Sequence, residues 1–219
     1  MTATILRSNK AALLRGAARR GIGPLARQAG LTAADTLLRR KHLVFYAAAR
    51  DVLAAPAPEA GRIDFREIRS MDALPEDMRR RLTAGDGIVD WGEPDWFDRG
   101  WSLWTGAIDG RLACLGWWRA AAQARDFFCP MPPDTELLWH MTTLPEFRGQ
   151  GLQAAFWLPL MRARLDSGIT GFFTNCRDYN TASRRNILRV GFRPVGYCTD
   201  NRITGRRSWH PTASTNGTT

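Results

Sequence analysis

The stretch that most constrains this chain is residues 137–151, Leu-Leu-Trp-His-Met-Thr-Thr-Leu-Pro-Glu-Phe-Arg-Gly-Gln-Gly. It reads as a buried strand, a short turn and a glycine-bearing loop that opens a helix at Leu152. Such a loop lines up backbone N–H groups at the positive end of a helix, which makes it a ready anion site. Gly149 and Gly151 keep side chains clear of whatever approaches the backbone. The sequence holds neither the Gly-x-x-x-x-Gly-Lys of a P-loop nor the six-residue glycine pattern of a dinucleotide-binding turn.

The flanking segments predict an α/β layout. Ile63, Phe65 and Ile68 with interleaved charges suggest an opening strand. Ser70 is placed to cap a helix holding Leu74, Met78 and Leu82, with Pro75 in its first turn. Residues 85–100 are acidic and carry Trp91 and Trp96. They suit either a functional loop, with Glu93 and Asp95 as an acidic wall, or tryptophans that plug a surface groove. Asp109-Gly110 is the preferred two-residue turn between strands 102–108 and 111–119. After the glycine loop, 152–166 predicts a helix kinked at Pro159, where a backbone hydrogen bond is missing. A short strand over 171–175, a helix capped by Asn180 or Thr181 and stopped at Gly191, and a final strand pair complete the order. This is a mixed sheet covered by helices.

Charge separates the two ends of the chain. Residues 1–58 hold ten Lys/Arg against Asp35 and Asp51, whereas the other 21 basic residues face 19 acidic ones. The basic character therefore belongs to the N-terminal segment, and the body lacks the basic face that nucleic-acid binding needs. Residues 1–30 have the composition of either a transit peptide or a basic, partly helical arm. A helix is expected from Thr32 or Asp35 to about Leu53. It would lie on an anionic membrane surface or dock on the domain. The resulting division is a basic helical extension with an Ala/Pro linker (1–58), a domain (59–210) and a disordered tail (211–219). No apolar run reaches the roughly 18 residues needed to span a bilayer. Cys114, Cys129, Cys176 and Cys198 have irregular spacing without clustered histidine, so the expectation is reduced thiols, no metal and a cytoplasmic location.

Residues 141–153, Met-Thr-Thr-Leu-Pro-Glu-Phe-Arg-Gly-Gln-Gly-Leu-Gln, resemble the cofactor-binding motif of the GCN5-related N-acetyltransferases. Arg148 and Gly151 fit that motif, while Gln153 stands where the family has a small residue. Asn180-x-x-Ser183 followed by Gly191-Phe192 resembles the family's later helix and strand entry. The resemblance covers about 60–210 and implies a GNAT-like, mostly antiparallel mixed sheet flanked by helices. It implies acetyl-CoA or another acyl-CoA as co-substrate, held by Met141, Thr142, Thr143, Arg148, Gly149, Gln150, Gly151, Leu152, Gln153, Asn180 and Ser183.

Acyl transfer to an amine, made directly in a ternary complex, needs a base for the nitrogen and a proton for the departing thiolate. The family's usual acid, a tyrosine four residues before the glycine of Gly-Phe, is replaced by Ile187. Tyr179 and Tyr197 are the remaining tyrosines of the domain. His140 and Glu136, on the strand that feeds the loop, are candidate bases, and Tyr179 is a candidate acid. His140 is also readable as a packed structural residue, and Asn180 as a plain helix cap. The expected acceptor is a small-molecule or peptide amine. The competing expectation is a non-catalytic GNAT-fold domain that binds acyl-CoA or a partner, tethered by a basic membrane- or nucleic-acid-binding N-terminal segment.

Overall fold

The computed structural model describes residues 40–56, 63–84, 89–201 and 204–212. The elements are β1 (Arg40–Ala48), α1 (Ala49–Ala54), β2 (Asp64–Ile68), α2 (Glu76–Ala84), β3 (Ser102–Ile108), β4 (Arg111–Ala120), β5 (Thr135–Thr143), α3 (Leu152–Leu165), β6 (Gly171–Arg177), α4 (Thr181–Arg189), β7 (Arg193–Asp200) and β8 (Arg207–Pro211). Among the described residues, one sheet of eight strands runs β2-β3-β4-β5-β6-β1-β7-β8. Its pairings are antiparallel except β5–β6, which is parallel.

The hairpin turn forms as its residues dictate, with Asp109 at φ 50° and Gly110 at φ 72°. Ser70 caps a short 3-10 turn, Met71–Ala73, and α2 comes after it. Helix α3 runs through Pro159 without ending there. Asn180 caps α4 by accepting from the Ser183 N–H at 3.0 Å.

The expected helix over 32–53 is corrected. Residues 40–48 form β1, and only Ala49–Ala54 is helical; positions 32–39 lie outside the described residues. β1 is bonded on both edges, to β6 and to β7. Val44, Phe45 and Ala47 are buried, so the strand sends core side chains to both faces of the sheet. A strand covered on both faces has no polar alternation, and its apolar run cannot be told from a helix by periodicity alone. This segment is therefore part of the sheet, and a boundary at residue 58 does not separate an extension from the domain. The tail beyond Thr212 lies outside the described residues.

Alternation along the strands sends neighbouring side chains to opposite faces. Phe45, Leu138 and Phe172 join the core under α3, while Val44, Leu137 and Phe173 pack beneath Phe127 and the segment around it. Helices α1 and α4 lie beside α3. The four cysteines are free. Burial pushes Cys114, Cys129 and Cys176 up to about 11, which leaves their thiols protonated at neutral pH.

Candidate active site

The parallel pair β5–β6 is short. Thr135, Glu136 and Leu137 face Gly171, Phe172 and Phe173, and beyond them the strands part. The Thr174 hydroxyl donates to the Leu138 carbonyl at 2.9 Å where the gap begins. β6 continues instead along β1 as far as Arg177. A wedge-shaped opening in the middle of the sheet results, with β5 on one side and β6 on the other.

A β-bulge shapes the β5 side. Leu115 faces Thr142 and Trp117 faces Trp139, so His140 and Met141 stand against Gly116 alone. The bulge holds His140 at φ 56°. A Cβ at Gly116 would lie 2.0 Å from Met141 Sδ, so any larger residue there would have to push the Met141 side chain aside. Past the bulge, Leu144 N–H donates to the Ala113 carbonyl at 2.8 Å. The backbone groups of Leu144 and Thr142 thus face β4. Alternation turns those of Thr143 and Met141 toward the gap.

The bulge also sets His140 apart from the ladder. Its Nε2 lies 2.9 Å from Asp90 Oδ1, and its ring meets Trp96 edge-on at 5.4 Å. Asp90 also accepts from Gly92 N–H at 3.2 Å. Burial works to raise the Asp90 pKa, but the hydrogen bond and charge of His140, with the Gly92 bond, hold it below the usual carboxylate value. The carboxylate is ionised at neutral pH and accepts from the Nε2–H of His140, which fixes the ring and turns Nδ1 away from Asp90.

At the wide end of the gap the chain turns through Pro145–Phe147 into the glycine loop. Gly149 and Gly151 take φ 85° and 71°. A Cβ at Gly149 would meet nothing within 4 Å, and one at Gly151 only Arg189 Nη1 at 3.7 Å. Glycine serves backbone conformation here, not packing, and the space above the loop is open. No side chain caps α3, and its first turn carries no acidic residue. The first N–H groups of α3 therefore remain available to an anion.

No family model matches the sequence, and no curated protein matches it. Solved structures do. An acetyltransferase of the GNAT family from Colwellia psychrerythraea aligns with TM-score 0.51 at 15% identity, over 80% of this chain and 57% of that one. A tandem GNAT protein from the clavulanic acid biosynthesis pathway aligns at 0.50 and 17%, over 83% and 59%. The chain has the GNAT fold. A GNAT-family protein from Novosphingobium aromaticivorans aligns at 0.50 and 20%, over 74% and 62%. The chain thus spans about three fifths of the length of these structures.

On this GNAT fold the residues singled out in the sequence fall into two groups. Met141, Thr143, Arg148, Gly149, Gln150, Gly151, Leu152 and Gln153 gather along the gap and its loop, while Thr142 turns its backbone toward β4. Asn180 and Ser183 stand just beyond the end of β6, bonded to each other in the α4 cap. Tyr179 sits in the turn before them, half-buried. Glu136 is not brought to the gap. It lies four residues back along β5, roughly 13 Å by strand rise. There it is buried and held by Arg164, whose Nε is 3.1 Å from both carboxylate oxygens. Ile187 is fully buried and Tyr197 stacks on His210 on the far side of the sheet from β5. Of the acidic residues around Trp96, Asp95 pairs with Arg99, and Trp91 and Trp101 fill the core. Asp90 and Thr174 carry no motif, and sequence reasoning misses them; a partner fifty residues away in sequence leaves no local trace. Among the described residues no cluster could hold a metal ion, and no helix is long and apolar enough to cross a membrane.

Proposed function

We propose that the protein is an acyl-CoA-dependent N-acyltransferase that transfers its acyl group directly to an amine. The observation that carries this reading is the parting of β5 from β6 beside an uncapped, glycine-lined helix N-terminus. The gap offers backbone groups of Met141 and Thr143 to an amide-bearing arm, and the loop offers N–H groups to a pyrophosphate. An acyl-CoA carries both at matching ends.

In this reading the amine nitrogen attacks the thioester carbonyl, the C–S bond breaks, and coenzyme A leaves as a thiolate. Backbone N–H groups at the bulge stabilise the developing oxyanion. His140, oriented by Asp90, takes the proton from the amine at Nδ1. The thiolate leaves without a strong acid, in keeping with an apolar Ile187 where the family places tyrosine. Tyr179, in the turn that precedes α4, is the candidate acid that would then protonate it.

The test has two stages. Thermal denaturation with acetyl-CoA, longer acyl-CoAs and free coenzyme A measures binding, and thiol release with a panel of amines measures turnover. Stabilisation by an acyl-CoA together with amine-dependent thiol release is the expected result. No stabilisation of the folded protein by any of these ligands would sink the proposal. Binding without release for any amine would leave an acyl-CoA-binding domain in place of an enzyme.

A further inference from the structure

The free edge of β5 is occupied by the protein itself. The carbonyls of Met141 and Thr143 both turn toward the gap, and each accepts from a side chain of the adjoining loop and helix. Arg148 Nε donates to the Thr143 carbonyl at 3.0 Å. Gln153 Nε2 donates to the Met141 carbonyl at 3.3 Å. Gln153 is held in that pose from behind, since Asn186 Nδ2 on α4 donates to its Oε1 at 2.8 Å. A chain of hydrogen bonds therefore runs from α4 through α3 to β5, across the gap that a ligand arm would enter.

We propose that Gln153 is a placeholder for the pantetheine amides of the ligand and sets the affinity for them. This rests on the acyl-CoA reading. A ligand amide that pairs with Met141 has to displace the Gln153 side chain, and the bonds to Met141 and from Asn186 are then broken together. Displacement has different consequences for the two side chains. Arg148 exchanges a carbonyl for an anion, a stronger partner for a guanidinium. Gln153 is neutral and gains no such partner at the pyrophosphate. Its displacement therefore weakens binding of the pantetheine arm and not of the nucleotide end. Alanine at 153 suits the first turn of a helix, so the side chain is not needed to form α3.

Isothermal titration of wild type, Gln153→Ala and Asn186→Ala separates the possibilities, with coenzyme A, pantetheine and adenosine 3′,5′-bisphosphate as probes. Gln153→Ala is expected to bind coenzyme A and pantetheine about 2- to 10-fold more tightly, the range set by one net neutral hydrogen bond. Its affinity for the bisphosphate is expected to stay unchanged. Asn186→Ala, which frees Gln153 without removing it, is expected to move affinity in the same direction by less. Weaker or unchanged coenzyme A binding by Gln153→Ala, with wild type binding normally, overturns the placeholder and leaves the acyl-CoA reading standing. An equal gain for the bisphosphate overturns it too, because the side chain would then be obstructing the loop. Coenzyme A binding by neither wild type nor variant overturns both readings.

Discussion

His42 lies on β1 with its ring 4.5 Å from Phe128 and its Nε2 4.0 Å from Asp200. Burial, then the charges of Arg177, Arg40 and Arg207, lower its pKa from the ordinary 6.5 to about 3. The folded state therefore binds fewer protons than the unfolded chain below pH 6.5. The stabilisation is complete above 6.5 and is lost as pH falls toward 3, by up to about 1.4 kcal/mol per pH unit. Urea midpoints of wild type and His42→Gln between pH 7 and 4 check this: the wild type should lose the larger share of stability on acidification, and parallel curves would remove the assignment. His140 has a different setting, partly exposed and bonded to a carboxylate. If Asp90 holds its tautomer, Asp90→Asn removes a charge-assisted bond worth about 1.5–3 kcal/mol, and kcat should fall roughly 10- to 100-fold. The KM for acyl-CoA should hardly move, because Asp90 is bonded to the proposed base and not to the ligand. Comparable losses in both constants would point to a structural role for the pair.

β1 is the element that joins β6 to β7, so the half of the sheet beyond the gap depends on a segment from the N-terminal side. Phe45 is 1% exposed within that strand. Phe45→Ala should cost about 3–5 kcal/mol, a large part of the 5–15 kcal/mol typical of a domain. A helix docked as a separate extension would give no such loss of domain stability, so a denaturation curve decides between the two. The contrast with the hairpin explains what the sequence could convey. Asp109-Gly110 specifies its turn locally, and the glycine loop announces a helix start, so β3–β4 and the β5–α3 junction are legible. β1 carries apolar residues toward both faces and no turn chemistry, so its identity depends on partners more than a hundred residues away. Separation along the chain likewise hides Asp90 as a partner of His140, whereas Gly149 and Gly151 declare themselves through chemistry that only backbone geometry requires.

The molecule is built as two blocks of strands, β2–β5 on one side and β6, β1, β7 and β8 on the other, joined in the sheet by a parallel pairing three residues deep. Helices α3 and α4 bridge them from one face, through Gln153 and Asn186 among other contacts. A ligand seated in the gap adds a second bridge, so its binding energy is delivered to the junction between the blocks. By linkage, acetyl-CoA at a hundred times its Kd should add about 2.7 kcal/mol, or several degrees in Tm for a chain of this size. Hydrogen exchange should slow at the facing edges of both β5 and β6, which would otherwise open as the weakest seam. Gly151→Glu tests where that energy enters. A non-glycine residue at φ 71° costs about 1–2 kcal/mol by itself, so Gly151→Ala serves as the control for strain. The glutamate also sets a negative charge at the end of α3 where the pyrophosphate is proposed to bind. Gly151→Ala should keep a ligand-induced shift from its lowered baseline, and Gly151→Glu should lose the shift and the added exchange protection on both strands. Protection on β5 alone in the wild type would mean that the ligand binds the loop without spanning the gap, and the two blocks would then be held together by the helices only.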